Sequence, residues 1–277
     1  MEIQYLGTAA AEGWPALFCD CELCRKARML GGKDFRTRTQ AIIDGRLLID
    51  FPPDTYTHAL KYGLRLGEIQ HLLITHSHMD HFFPVELIHR HEHFGHHARG
   101  MLHVYGNEAV EKAFYEAVLI DRFKVHPLDE SVKFVRLKPF EDFTVEGYHI
   151  VPLPADHDKR ETCLIYMIEK EGKSLLYGHD TGLNLSQETW DFIHSHYFHL
   201  ISMDATMGKK SSDGYHMGLP DAIRFAADLE THGCIDKHTV KVINHFSHNG
   251  EMLHADLEAF AEEHEMIAAY DGMKIKL

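Results

Sequence analysis

The run His76-Ser77-His78-Met79-Asp80-His81 places three imidazoles and a carboxylate within six residues. That is more donors than one ion takes from a single loop. Side chains two apart share a face in an extended segment, so His76 and His78 can point together. Asp80 and His81 then lie beyond the bend and suit a second ion. Two divalent ions about 3.5–4 Å apart make a bridging water acidic enough to react at neutral pH. They also offset charge on a phosphoryl oxygen, which favours a phosphodiester over an uncharged substrate.

Cysteine supplies a second signal. Cys19, Cys21 and Cys24 fall within six residues, whereas Cys163 and Cys234 stand alone. In a reducing compartment a C-x-C-x2-C cluster reads as a zinc site before it reads as a disulfide framework. Three thiolates leave a tetrahedral zinc one ligand short, so a fourth is expected from elsewhere in the chain.

The rest of the chain is that of an ordinary globular protein, with 44% hydrophobic and 25% charged residues, and not of a disordered one. Its 28 Lys and Arg against 42 Asp and Glu give a net charge of −14. Binding of a large nucleic acid is not expected on such a surface, because phosphate contacts need clustered cations. A small phosphorylated substrate held through metal remains compatible. No apolar run reaches the roughly 18–20 residues of a membrane span, and the opening MEIQYLGT lacks an export pattern. A cytoplasmic protein is expected, with no membrane partner and with a homodimer left open. Histidine is in excess, at 25 residues. His89, His91, His93, His96 and His97 are expected at the surface or behind the ligands.

Short β-like runs alternate with amphipathic helical stretches, with no linker or repeat between them. Strands are predicted at Ile3–Leu6, Gln40–Ile43, Leu47–Phe51, Ile69–Thr75, Leu102–Tyr105, Val132–Leu137, Phe143–Pro152, Cys163–Ile168, Ser174–Tyr177, Leu200–Met203 and Val240–Asn244. Asp271-Gly272 predicts a closing hairpin between Met266–Ala269 and Met273–Ile275. Helices are predicted at Pro53–Tyr62, Pro84–Phe94, Asn107–Val118, Ser186–Tyr197, Pro220–Thr231 and Met252–Glu263. Strands joined by turns, then strands alternating with helices, imply two facing sheets with helices outside, in one domain over residues 1–277. The H-x-H-x-D-H run sits where a strand hands over to a helix, at the sheet edge where α/β folds build sites.

These residues resemble the metallo-β-lactamase superfamily, and more closely the PhnP-type phosphodiesterases of phosphonate catabolism. The resemblance rests on LGTAAAEGWP…CDCELCRKAR, HSHMDH, LPADHD, GHDTGL, NHFSHN and YDGMKI, in order along the chain. PqqB, a cofactor-biosynthesis protein, shares a similar cysteine cluster. The resemblance implies a four-layer αββα sandwich of mixed α/β class with two catalytic manganese or zinc ions. It implies that His76, His78 and His157 bind one ion, that Asp80, His81 and His245 bind the other, and that Asp180 bridges them. His157, Asp180 and His245 each follow a predicted strand, as a site at one sheet edge requires. The resemblance also places His248 as the fourth ligand of a structural zinc.

Asp50 ends a predicted strand and resembles the superfamily aspartate that orients a metal-bound histidine; capping of the helix at Pro53 is the competing role. Asp80 can also accept a proton from the attacking water. His216, in the loop before Pro220, matches the family's general acid for the leaving alkoxide. Lys159 is a candidate contact for a substrate phosphate. The expected activity is a metal-dependent phosphodiesterase acting on a small cyclic or nucleotide-like ester, such as a ribosyl cyclic phosphate. Ala9 and Ala10 replace glycines expected in the N-terminal turn, and the loop from Thr206 to Tyr215 also departs, which leaves the substrate open. The alternatives are a PqqB-like protein of other function and a tRNase Z-like nuclease, the latter without a basic arm here. Flavodiiron-type redox chemistry is disfavoured by His78 where a glutamate is typical. A metal buffer would not need Asp80 and Asp180 interleaved so regularly.

Overall fold

Alternate residues of the early strands go to opposite faces, and this sorts the core into two layers. Ala41, Ile43, Leu47, Ile49 and Leu73 face the larger hydrophobic cluster between the sheets. Ile42, Leu48 and Leu72 face a second cluster with Val110 and Phe114 of a covering helix. That is the period-two pattern of a sheet buried on both faces. The computed structural model describes residues 1–120, 130–212 and 214–277, without the side chains of 118–120.

The elements run β1 (Glu2–Gly7), α1 (Glu22–Leu30), β2 (Gln40–Ile43), β3 (Leu47–Ile49), α2 (Thr55–Tyr62), β4 (His71–Leu73), β5 (Leu102–Gly106), α3 (Glu108–Ile120) and β6 (Val132–Arg136). They continue with β7 (Phe143–Val145), β8 (Tyr148–Pro154), β9 (Leu164–Lys170), β10 (Lys173–Gly178), α4 (Gln187–His194), β11 (Leu200–Asp204), α5 (Leu219–Thr231), β12 (Val240–Asn244), α6 (His254–Glu263), β13 (Ile267–Ala268) and β14 (Lys274–Lys276). Two seven-stranded sheets result, ordered β14-β1-β2-β3-β4-β5-β6 and β13-β12-β11-β10-β9-β8-β7. Apolar residues of α4, α5 and α6, among them Ile193, Phe225 and Leu257, join the larger cluster. The αββα sandwich is as expected. Among the described residues no helix is long and apolar enough to cross a membrane.

Four local expectations are corrected. The tail is not a hairpin: β13 pairs parallel with β12 in one sheet, while β14 pairs antiparallel with β1 in the other. Asp271-Gly272 is instead the crossing point. Asp271 accepts from Thr8 Oγ1 at 2.7 Å and from Thr37 N and Oγ1 at 2.7 and 2.6 Å. Gly272 has φ +95°, and a Cβ there would meet the Tyr62 ring at 2.7 Å. Phe143–Pro152 is two strands, turning at Gly147 with φ +81°. Pro84–Phe94 is only a 3-10 turn over Pro84–Arg90, because the histidine-rich stretch that follows has weak helix preference. His91 in that stretch is buried rather than at the surface, its Nδ1 accepting from His93 N at 3.1 Å. Finally, α1 had no forecast, being hidden by the cysteines that open it.

Candidate metal centre

The site is assembled from residues that leave their strands at one edge. His76, Asp80 and His81 lie just past β4, His157 past β8, Asp180 past β10 and His245 past β12; Asp204 ends β11 and Asp50 follows β3. The backbone turns through left-handed φ at Asp50 (65°), Asp180 (50°) and His245 (63°). That region is sparsely populated by residues other than glycine and costs on the order of 1 kcal/mol or more each. These strained turns coincide with the place where the side chains converge.

Each of five histidines has one ring nitrogen tied outward, and the other turned inward. His81 Nδ1 donates to Asp50 Oδ2 at 2.7 Å, and His157 Nδ1 donates to the Tyr215 carbonyl at 2.9 Å. His78 Nε2 donates to Asp158 Oδ2 at 3.0 Å. His76 Nδ1 lies 3.0 Å from Thr75 Oγ1, which donates to Asp50 Oδ1 at 2.9 Å. His245 Nδ1 lies 2.7 Å from Thr206 Oγ1, itself 3.0 Å from Asp204 Oδ2. Such outer bonds fix each tautomer and leave the inner lone pair for an ion.

The inner atoms form two groups, His76-His78-His157 and Asp80-His81-Asp180-His245, each within 4.8 Å of one another. His157 Nε2 is 3.4 Å from His78 Nδ1, and His81 Nε2 is 3.3 Å from His245 Nε2. Asp180 Oδ2 stands between the groups, 2.5 Å from His81 Nε2, 3.3 Å from His245 Nε2 and 3.7 Å from His76 Nε2. His76 Nε2 is buried with no hydrogen-bond partner, and Asp180 Oδ1 is buried with only the His216 Nδ1 contact at 3.2 Å. Buried polar atoms without partners are costly unless a ligand meets them. The donor set and these two atoms fit divalent metal.

The polypeptide's own charges point the same way. Burial alone would push His81 down, but Asp180, Asp50 and Asp80 together raise it well above its ordinary value. Burial opposes ionisation of Asp80 and Asp180, yet the surrounding imidazoles hold both below the usual carboxylate range. His76 is pushed well down by burial and by His81. One imidazole is thus kept charged by carboxylates that a cation would satisfy in its place.

His216 reaches this centre. Its Nδ1 is 3.2 Å from both Asp180 Oδ1 and Asp204 Oδ2, and its ring lies 4.8 Å from that of His157. Burial lowers its pKa, but the charge of Asp204 and bonds to both carboxylates raise it to about 11. Asp204, absent from the sequence reading, is a central organiser. It is fully buried and accepts from the main-chain N–H groups of Asp180 (3.0 Å), Thr206 (2.9 Å) and Met217 (3.0 Å). The available signal was a carboxylate ending an apolar strand, the same signal that singled out Asp180. Asp158, which holds His78, was also missed. Lys159 Nζ is engaged by Asp156 Oδ1 at 2.6 Å. Asp50 faces His81 rather than α2, whose N-cap is Asp54. His179, adjacent to Asp180, bonds Ser202 Oγ at 2.7 Å.

The cysteine cluster also comes together. Cys21 caps α1, its Sγ accepting from Cys24 N. His248 Nδ1 lies 3.7 Å from Cys21 Sγ and 3.6 Å from Cys24 Sγ, and with Cys19 all four donors lie within 4.8 Å. Bonding to His248 and to the Cys24 main chain lowers the Cys21 thiol to about 6. Burial pushes Cys24 up to about 12. A thiolate beside a neutral thiol and an imidazole is a donor set suited to zinc.

An αββα sandwich carrying H-x-H-x-D-H at the edge of its sheets defines the metallo-β-lactamase class of metal-dependent hydrolase folds. A family model described as "Beta-lactamase superfamily domain" matches residues 45–246, and the chain belongs to that superfamily. No curated protein sequence matches it. Among solved structures, a diphosphatase from the PhnP family is similar over 100% of this chain and 97% of its own, at TM-score 0.76 and 21% identity. Zn2+-bound PqqB from Methylobacterium extorquens is similar over 100% of both chains, at TM-score 0.69 and 18% identity. The short form of human tRNase Z is similar over 100% of this chain and 99% of its own, at TM-score 0.68 and 18% identity. At these identities the likeness is one of fold.

Proposed function

We propose that this protein is a dinuclear metal-dependent phosphodiesterase acting on a small cyclic or nucleotide-like phosphodiester, as a PhnP-like enzyme would. The observation that carries the reading is the gathering of five inward-turned histidine nitrogens into two adjoining groups, with Asp180 Oδ2 near His76, His81 and His245 and each outer nitrogen already bonded. His76, His78 and His157 would hold one manganese or zinc ion, Asp80, His81 and His245 the other, and Asp180 both. Such a pair supplies an acidified water and a positive field for the phosphoryl oxygens.

The chain's own groups supply the proton transfers. Asp80 is ionised and can accept the proton of the attacking water. His216 carries its proton between Asp204 and Asp180, and the Nε2 side is left to donate to a leaving alkoxide. Cations at Asp180 would draw its pKa down from about 11 towards a working range. Cys19, Cys21, Cys24 and His248 would hold a structural zinc, fixing the loop that also carries His245. Five cysteines with no disulfide among them suit a reducing, cytoplasmic setting.

A ribosyl cyclic phosphate fits this reading better than a structured RNA, given the net charge of −14. The test is a panel of cyclic and linear phosphodiesters assayed with manganese and with zinc, alongside a β-lactam and a thioester. Phosphodiester turnover that falls by orders of magnitude in Asp80→Ala is expected. Robust β-lactam or thioester turnover with inert phosphodiesters would overturn the assignment.

A further inference from the structure

The opposite edge of the second sheet holds another set of metal-type donors. Helices α4 and α5 lead into β11 and β12, so their C-terminal ends lie at the amino ends of those strands, away from the centre described above. His194 is the last residue of α4, and His232 directly follows α5. Asp228 lies four residues before His232, on the same helical face.

The three side chains meet. Asp228 Oδ2 is 2.6 Å from His194 Nε2 and 3.5 Å from His232 Nδ1. The two imidazoles stack with centroids 3.7 Å apart and planes 14° from parallel. One donor atom from each residue lies within 4.8 Å of the others. The His232 ring is held by its own helix, and His194 can turn about its ring bond to share an ion with it. His232 Nδ1 is 2.9 Å from the Asp228 carbonyl, so a proton there leaves the lone pair on Nε2. Trp190 packs on His194 at 5.3 Å and on Phe225 of α5 at 5.5 Å, which sets the spacing of the two helices.

Electrostatics at this spot favour a cation. Both helices present the negative end of their dipoles here. Among the described residues, the ion-pair partners of Asp228 are these two imidazoles. Nothing in the hydrolytic reading uses the cluster.

We propose that His194, Asp228 and His232 form an accessory site for a first-row divalent transition ion, with water completing the coordination. Two imidazoles and one carboxylate are the donors of zinc, nickel or copper, whereas calcium and magnesium favour all-oxygen sets. The ion replaces the proton between His194 Nε2 and Asp228 Oδ2, and that proton leaves to solvent. By joining the ends of α4 and α5 it stabilises the folded chain in proportion to its occupancy.

Trp190 provides the readout. Metal-replete protein, with its other sites filled, is titrated with Ni2+ or Cu2+ while tryptophan fluorescence, ion uptake and melting temperature are followed. Wild type should take up a further ion, with saturable quenching and a rise in melting temperature. Trp190→Phe should remove the quenching and keep the uptake. His232→Gln and Asp228→Asn should each weaken binding by about tenfold or more and leave hydrolysis unchanged. All three residues are at least partly exposed, so these variants should fold. Binding and quenching equal to wild type in both variants, as expected if His89–His97 took the metal, would overturn the proposal. So would wild type that shows no saturable uptake at millimolar metal.

Discussion

Asp50 and His81 are joined by a 2.7 Å hydrogen bond between two fully buried side chains, Oδ2 accepting from Nδ1. The same carboxylate holds Thr75 N and Oγ1 at 2.9 Å through its other oxygen. One residue thus fixes the ring of a proposed ligand and the start of the loop that carries it.

Asp50→Asn keeps the shape but replaces the carboxylate that His81 bonds. Metal affinity of the dinuclear centre should fall by about 10–100-fold, the usual effect of losing such a support. Competition with a chromophoric chelator measures it. An unchanged affinity would mean that Thr75 and the loop alone fix the ring.

Up to three ions per chain are expected in the fully loaded protein at the sites of the proposed function, two catalytic and one in the cysteine cluster. Cys21→Ser removes one thiolate while leaving a hydroxyl that can still cap α1. It should lose one zinc by elemental analysis and melt at lower temperature, while the dinuclear pair is largely kept. Unchanged zinc content would remove the cluster from the list of metal sites.

His216→Ala should discriminate between leaving groups. A ribose alkoxide needs a proton and p-nitrophenolate does not, so loss on a ribosyl cyclic phosphodiester should be about 10²–10⁴-fold. Loss on bis-p-nitrophenyl phosphate should be far smaller. Because His216 Nδ1 touches Asp180 Oδ1 at 3.2 Å, metal content must be measured in the same preparation. Equal losses on both substrates would assign the residue to the metal site rather than to proton donation.

Stability should fall in mild acid through His58. Burial lowers its pKa to about 4, and its ring is bonded to Thr37 Oγ1 at 2.7 Å and Gln40 Oε1 at 2.5 Å. In the unfolded chain it takes up a proton near 6.5. The unfolded state therefore binds more protons between these values. The stabilisation is full above about 6.5 and lost as pH falls towards 4, by about 3 kcal/mol at most. Urea melts from pH 7 to 4 should show a shallower decline in His58→Gln. An identical slope would assign the acid sensitivity to other groups. Gln40 also donates to the Asp50 carbonyl at 2.9 Å, so this histidine is tied to the metal centre's support.

Local features are legible in the order of the residues alone. The H-x-H-x-D-H donors, the cysteine triplet and the alternating strand faces follow from spacing and periodicity. The αββα architecture follows from the order of strands and helices together with the family resemblance. Features that depend on partners distant in the chain emerge only on folding. Asp204 looked like any strand-ending carboxylate, and only the sheet register sets it against Asp180, His216 and the Met217 main chain. Asp271-Gly272 carries the local signal of a hairpin, yet its flanking segments find better partners in β12 and β1. Lys159 showed a free cation in sequence, and the fold gives it Asp156. The physical reason is common to all three. Spacing fixes which side chains share a face within one segment, whereas pairing, burial and charge compensation are settled between segments, where sequence distance carries no information.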